Sequence, residues 1–471
     1  MREESGIRTA ISEFTGCPFR LLTVNHMPLH PGFKDMKRLL IKIIALALFT
    51  PSIQAENWGN WRGPSFNGST SEKNLPSHFS KTENVAWSVD MPGPSASTPI
   101  VWGNRVFVSS GDKSEQKLVA ICLDRGTGKQ LWKDVVASGY RRDDKSTFSS
   151  PSPVTDGQRV IFFYASGDLV SYDLEGKKLW NRNIQKDYGE FAFLWTFSTS
   201  PVLYDGRLYL QVLQRDVAVS GRGQKNGPNE SYLLALDPAS GKEIWRQPRP
   251  SEAVAESREA FTTPVPYEFG GRKQLLVIGG DCLTGHDPAS GKELWRWATW
   301  NPSKITHWRL VPSPVAGNGV ALACAPKGEP IYAVKTDRNG TLKDSDLAWT
   351  AERRTLTSDV PTPGFYDGDF FVLSDIRKNL SRVEVATGKV KWACPMPGRA
   401  KFECSPTFGD GKAYAMNFAG EVVVVDLNKG EVIHNTPMGE SGDDMTRSAV
   451  ALSQGHAFIR TNSKLFCVGP K

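Results

Sequence analysis

The sequence predicts an all-β protein, an eight-bladed β-propeller with four antiparallel strands per blade. Three observations predict it. A Ser/Thr-Pro lead-in to an apolar strand recurs at Pro99, Pro153, Pro201, Pro264, Pro314, Pro363 and Pro406, with Ala449 in an eighth copy. The mean spacing is about 50 residues, which suits one propeller blade. A second pattern, Asp-x-x-(Ser/Thr)-Gly-Lys-x-apolar-Trp, alternates with the first. Finally, a lone Trp-bearing strand, Asn84–Val89, precedes the first lead-in.

The first pattern reads as two strands, A and B. Proline has no N–H to donate, so it is tolerated at the first residue of a strand or on an edge. Turn pairs such as Gly103-Asn104, Asp156-Gly157, Asp205-Gly206 and Asp367-Gly368 supply the positive φ that tight hairpins need. The second pattern reads as strands C and D. Asp237–Trp245 and Asp287–Trp295 are almost identical, and Asp124–Trp132, Asp173–Trp180 and Val385–Trp392 are close variants. Asp337–Trp349 is stretched, and Asp426–His434 has lost the Trp. The blade tryptophans are therefore Trp87, Trp132, Trp180, Trp245, Trp295, Trp349 and Trp392, all expected to be structural. Eight A–B patterns face only seven C–D patterns, and strand Lys464–Val468 has nothing after it to pair with. Residues 84–89 are expected to complete the last blade and close the ring, which removes the open sheet edges at the seam.

The domain plan follows. Residues 1–35 read as a mis-called start, 36–55 as a signal peptide, 56–83 as an N-terminal extension and 84–471 as the propeller. Lys37, Arg38 and Lys42 flank or interrupt the apolar run Leu39–Phe49, which ends in Ser52-Ile53-Gln54-Ala55. That is the layout of an export signal, too short to span a membrane. The expected location is periplasmic or extracellular. Removing residues 1–55 lowers the formal charge from +7 to +4, spread thinly, which argues against a nucleic-acid binder. Six cysteines remain: Cys122, Cys282, Cys324, Cys394, Cys404 and Cys467. An exported chain permits disulfides, but spacing leaves the pairing open. Neither CxxC nor CxxCH occurs.

The recurrent Trp, the Asp-Pro-Ala-Ser-Gly-Lys-Glu-Leu-Trp signature and the eight blades resemble the PQQ-like (quinoprotein-type) propeller repeat. That family includes quinoprotein alcohol dehydrogenases and the outer-membrane assembly lipoprotein propeller. Trp58-Gly59-Asn60-Trp61-Arg62-Gly63-Pro64 also resembles exported bacterial propellers of this group. The resemblance implies a fold; one fold hosts many activities.

In an antiparallel A–B–C–D blade, the B–C loops and D-to-A connections share one face. Here those are the long ones: Lys133–Ser150, Asn181–Thr199, Arg246–Thr262 and Arg296–Pro312, with Arg215–Ser231 as a B–C insertion. Long loops on one face of a rigid scaffold are where binding residues collect. Residues just ahead of each inner strand should converge on the channel mouth. The ligand-binding candidates there are Phe197, Arg258, Glu259, His307, Trp308, Arg309, Asp359, Glu403 and Arg447. Arginines such as Arg309 and Arg447 can fork onto carboxylates.

The expected function is a noncatalytic binding or scaffold module that recognises a protein, peptide or glycan through the long-loop face, acting as a monomer. No catalytic residue and no metal site is predicted. The alternative is a PQQ-dependent alcohol or sugar dehydrogenase. As the resemblance implies it, that chemistry needs PQQ with Ca²⁺, an Asp base and, in many members, a vicinal Cys pair. The sequence has no Cys-Cys pair, and only Asp359 and Glu403 stand as weak metal or base candidates. A hydrolase or lyase built on His307 and Glu259 ranks last.

Overall fold

A computed structural model describes residues 56–470. The expected false start and signal peptide lie outside the described residues. The described strands form eight sheets, seven of four strands and one of five, in a propeller arrangement. Blade 1 comprises Ile100–Trp102, Arg105–Asp112, Lys117–Asp124 and Gln130–Ser138. Blade 8 takes three strands from the C-terminus and its fourth from Val85–Asp90, which pairs antiparallel with Lys464–Val468. The ring closes by that pairing, with Val89 opposite Leu465.

Burial follows the blade order. Middle strands lie between neighbouring blades and read as continuous apolar runs, as in Glu421–Asp426, whose four valines are all buried. Outer strands are half solvated; Gln130–Ser138 has no fully buried position. At the seam, the buried Arg460 of blade 8 donates to Ser109 O and Ser110 Oγ of blade 1 and to Gly93 O.

Two repeated contacts explain the two sequence patterns. The first docks each D-strand Trp onto the C–D turn of the next blade. Indole N–H groups of Trp87, Trp132, Trp180, Trp245 and Trp349 donate to carbonyls of Arg125, Leu174, Pro238, Pro288 and Val385 at 2.7–3.2 Å. The turn glycine lies flat against the ring. A Cβ placed on Gly128, Gly176, Gly241, Gly291, Gly388 or Gly430 would come within 2.5–2.7 Å of the preceding blade. These glycines also hold a positive φ, so both backbone and packing require them. Trp295 departs from the rule and bonds Gln274 of its own blade at 2.8 Å. The stretched C–D connection of blade 5 instead lays Gly340–Thr341 as a parallel fifth strand along the outer edge of blade 4. Where His434 replaces Trp, Phe79 of the N-terminal extension packs buried against its ring, centroids 5.2 Å apart.

The second contact is a belt around the channel. The backbone N–H of six of the seven Ser/Thr residues before proline donates to the matching hydroxyl of the next blade. The series runs Thr98 to Ser152, Ser200, Thr263, Ser313, Thr362 and Ser405, each bond 2.9–3.1 Å. Ser448 Oγ donates to Ser97 O at 2.9 Å, linking the last blade to the first. The hydroxyl pairs inner-strand backbone that no fifth strand reaches.

The extension does more than lead into blade 8. Trp58 pairs with Val101 of blade 1, and Gly59 O accepts from Thr155 N of blade 2. Asn67 O then accepts from Phe365 N of blade 6, and Thr70 N donates to Phe408 O of blade 7. The segment thus crosses the ring along its innermost strands. Arg62, 2% exposed, pins it by donating to Pro406 O at 2.9 Å and Pro363 O at 3.0 Å. Contacts with Gly103, Asp410 and Gly455 place the crossing at the A–B-turn end of the channel.

Candidate functional site

With its A–B-turn end crossed by residues 58–70, the channel is a funnel that opens on the long-loop face. Trp61 belongs to the crossing and lines the cavity from below. The belt residues Ser200, Thr263, Thr362 and Ser405 form the lower wall, and D-to-A connections and B–C turns form the mouth. The cavity measures about 550 Å³, inside the roughly 300–1,000 Å³ span of small-ligand sites.

Its charge is lopsided. Lys145, Arg309, Lys327, Lys378, Lys401 and Arg447 line it, against Asp359, Asp375 and Glu403. Every one of those carboxylates is already engaged by the protein. Glu403 accepts from Arg447 at 3.0 Å. Asp359 accepts from Lys327 N at 2.7 Å, with the Lys327 ammonium 3.7 Å away. Asp375 accepts from Asp359 N at 2.9 Å. Burial, helped by the neighbouring charges of Asp359 and Glu403, raises the Asp375 carboxyl to about 6. Of the cations, Arg309 is paired with Glu256 at 2.6 Å. Lys378 donates to the carbonyls of Gly398 and Arg399. Lys145 lies 5.5 Å from the Trp195 ring centroid, and Arg309 lies 5.9 Å from the same ring. Among the described residues, Lys145, Lys378 and Lys401 have no carboxylate partner.

The predicted residues divide between this funnel and its supports. Arg309, Asp359, Glu403 and Arg447 line the cavity together. Glu259 is fully buried behind it, accepting from Arg215 and from Leu194 N, and burial raises its carboxyl above the ordinary range. Arg258 ends a short 3-10 turn, Ala255–Arg258, and reaches Ala253 O and Asp216. Trp308 is buried in the blade 4–5 core, and His307 is exposed outside the funnel lining. Phe197 is buried among Phe191, Phe193 and Phe163, with ring centroids 4.8–5.7 Å apart. Trp61, Asp375, Lys378 and Lys401 were not singled out from sequence as ligand candidates, although Lys401 sits two residues before Glu403. All six described cysteines are buried thiols outside any disulfide.

Eight blades, most of them docked by a D-strand tryptophan on the next blade's turn and the ring closed by an N-terminal strand, define a PQQ-like propeller. The chain belongs to the family described as outer membrane protein assembly factor BamB, whose profile matches residues 75–224 and 229–471. Among solved structures, BamB from Moraxella catarrhalis aligns with a TM-score of 0.56 at 12% identity, over 82% of this chain and 99% of that one. A europium-containing methanol dehydrogenase aligns at 0.64 and 10% identity, over 88% and 98%. Quinohemoprotein alcohol dehydrogenase from Comamonas testosteroni aligns at 0.55 and 13% identity, over 92% and 82%. At such identities the likeness is one of fold. By sequence, a polyvinylalcohol dehydrogenase from a Pseudomonas species is 24% identical over 164 residues, 34% of this chain. The match spans only about a quarter, 24%, of that relative's length.

A quinone held by a divalent cation, the group this fold family implies, needs several free oxygen donors on one side of the cavity. The funnel's carboxylates are each committed to a lysine, an arginine or a backbone amide. No group of three His, Cys, Asp or Glu among the described residues is placed to hold a metal ion. The residues present do not fit a metal-held quinone. Among the described residues, no helix is long and apolar enough to cross a membrane.

Proposed function

We propose that this protein is an exported, noncatalytic binding propeller that holds an acidic partner at the funnel on its long-loop face. The observation that carries the reading is the lining: six basic side chains against three carboxylates that are already engaged, over a tryptophan floor. An acidic peptide or glycan brings the charge that Lys145, Lys378 and Lys401 lack. Trp61 and Trp195 offer faces on which a planar or sugar-like group can stack. Ile376, 53% exposed on the same lining, gives the mouth an apolar contact. The fixed ring of blades makes the funnel a preformed receptor, so little ordering opposes binding.

The test is a titration of the mature protein with oligoglutamate and with an oligogalacturonate, read by tryptophan fluorescence. Salt-sensitive quenching that weakens at least fivefold in a Lys145→Gln/Lys401→Gln double variant supports the reading. Absence of binding at millimolar ligand, or steady dye-linked oxidation of alcohols, overturns it. The second reading, a PQQ-dependent dehydrogenase with Ca²⁺, draws on one feature, because a cationic funnel floored by Trp61 also suits an anionic planar quinone. Calorimetry with PQQ, with and without Ca²⁺, separates the two: metal-dependent micromolar binding favours the dehydrogenase.

A further inference from the structure

A second, smaller cavity of about 190 Å³ opens on the same face beside the funnel. Trp195 and Thr196 line both cavities, so they form a shared wall. Half-buried Phe148 and Trp195 give the pocket its accessible aromatic surface, backed by the buried rings of Phe191, Phe193 and Phe197. Phe197 packs at 4.8 Å on Phe191 and 5.3 Å on Phe193, and Phe193 packs at 5.5 Å on Phe261, which holds the walls rigid. The volume lies below the roughly 300 Å³ at which drug-sized sites begin, so the pocket suits one side chain.

Two guanidiniums stand over this pocket. Arg222 is fixed by donating to Phe193 O at 2.8 Å, and Arg141 lies 6.0 Å from the Phe148 ring centroid. Neither has an acidic ion-pair partner among the described residues. Asp143 is close, but its carboxylate is taken up by Thr196 N and Oγ1, Lys145 N and Ser146 N at 2.7–2.9 Å. Glu190, the acidic residue on the lining, is exposed. Burial, together with repulsion from Arg141, holds the Arg222 guanidinium below its ordinary range. Two unpaired forks above an aromatic slot ask for a carboxylate attached close to an aromatic ring.

We propose that this side pocket receives the C-terminal aromatic residue of a peptide, its ring against Phe148 and Trp195 and its terminal carboxylate between Arg141 and Arg222. In such a residue the ring and the carboxylate branch from one Cα, which matches a slot with both arginines at its mouth. The shared Trp195–Thr196 wall lets the preceding residues run into the basic funnel. The inference rests on the binding-module reading and names the ligand's end group.

The experiment uses fluorescein-labelled hexapeptides and the mature protein, read by anisotropy. One peptide is acidic and ends in Phe with a free carboxylate. Its comparators are the Phe amide, the same peptide ending in Ala, and unlabelled 3-phenylpropionate as competitor. The free acid is expected to bind at least tenfold tighter than the amide or the Ala peptide. Arg141→Gln and Arg222→Gln should each remove most of that preference, and Arg141→Gln, whose side chain has no hydrogen bond to lose, should leave the thermal midpoint unchanged. Equal binding of acid and amide, or an unchanged preference in Arg141→Gln, overturns the proposal. Competition by 3-phenylpropionate at the peptide's own affinity overturns the peptide as the source of the group. If oligoglutamate binds the funnel while no end-group preference appears, the side pocket alone fails. If neither ligand binds, the binding-module reading fails with it.

Discussion

Replacing one turn glycine tests whether tryptophan docking, rather than turn geometry alone, holds adjacent blades together. Gly241 and Gly206 have nearly the same backbone, φ +70° and +72°. Their surroundings differ. A Cβ on Gly241 would sit 2.7 Å from the Trp180 ring, whereas one on Gly206 meets nothing within 4 Å. Alanine at either site carries a left-handed backbone cost of about 1–2 kcal/mol. At Gly241 it adds an overpacking cost of about 1–3 kcal/mol, because the indole is bonded to Pro238 O and cannot retreat freely. Unfolding entropy near 2.1 cal/mol/K per residue makes 1 kcal/mol worth about 1 °C in a propeller of this size. Gly206→Ala should therefore lower the thermal midpoint by about 1–2 °C and Gly241→Ala by about 2–5 °C. Differential scanning calorimetry at one scan rate checks both. Equal shifts in the two variants would show that the ring contact contributes nothing, and the docking account would be wrong.

Ser200→Ala leaves the buried Ser152 N–H without its 3.0 Å acceptor and should cost about 1–3 kcal/mol in urea unfolding, while Ser200→Thr keeps the hydroxyl and should restore it. Arg62→Ala strands two channel carbonyls and should lower stability by about 2–4 kcal/mol, with new protease cuts confined to residues 58–70. Asp375 should make the funnel sensitive to pH. Its folded carboxyl is raised to about 6, against 3.8 when unperturbed, so its ionisation costs stability fully above pH 6 and not at all below about 3.8. Stability contributed through this group falls as pH rises through that window. Loss of its charge also leaves the funnel more basic, with Asp359, Glu403, Lys327 and Lys378 around it. Oligoglutamate affinity, measured above the ligand's own titration range, should strengthen as pH falls from 7 to 5.5, and Asp375→Asn should flatten that change.

The fold was legible because its two rules are local. Gly and Trp recur at fixed distance in five C–D hairpins, and proline marks seven of the eight A strands, so blades can be counted without any tertiary knowledge. Closure was legible by elimination, since strand Lys464–Val468 lacked a partner and Asn84–Val89 had the right ending. The belt was half visible: the Ser/Thr before proline recurs, but its acceptor lies in another blade about 50 residues on. The extension was opaque. Residues 56–83 follow no period, so nothing marked Trp61 as a floor, Arg62 as a hook or Phe79 as the filler beside His434. Asp375 sits in a short B–C turn that reads as ordinary punctuation. The convergence of Arg309, Asp359, Glu403 and Arg447 followed from strand order alone. Whether a neighbour such as His307 or Phe197 turns toward the channel or away from it depends on loop backbone that strand order does not determine.

The central claim is that the funnel binds an acidic ligand through its unpaired lysines and not a metal-held cofactor. The most direct measurement is a calorimetric titration of the mature protein with oligoglutamate at two salt concentrations, repeated on Lys145→Gln/Lys401→Gln and alongside PQQ with Ca²⁺. The account predicts saturable, salt-sensitive binding of the acidic peptide that weakens at least fivefold in the double variant, with no metal-dependent binding of PQQ. Tight PQQ binding that requires Ca²⁺, with the acidic peptide inert, would contradict it.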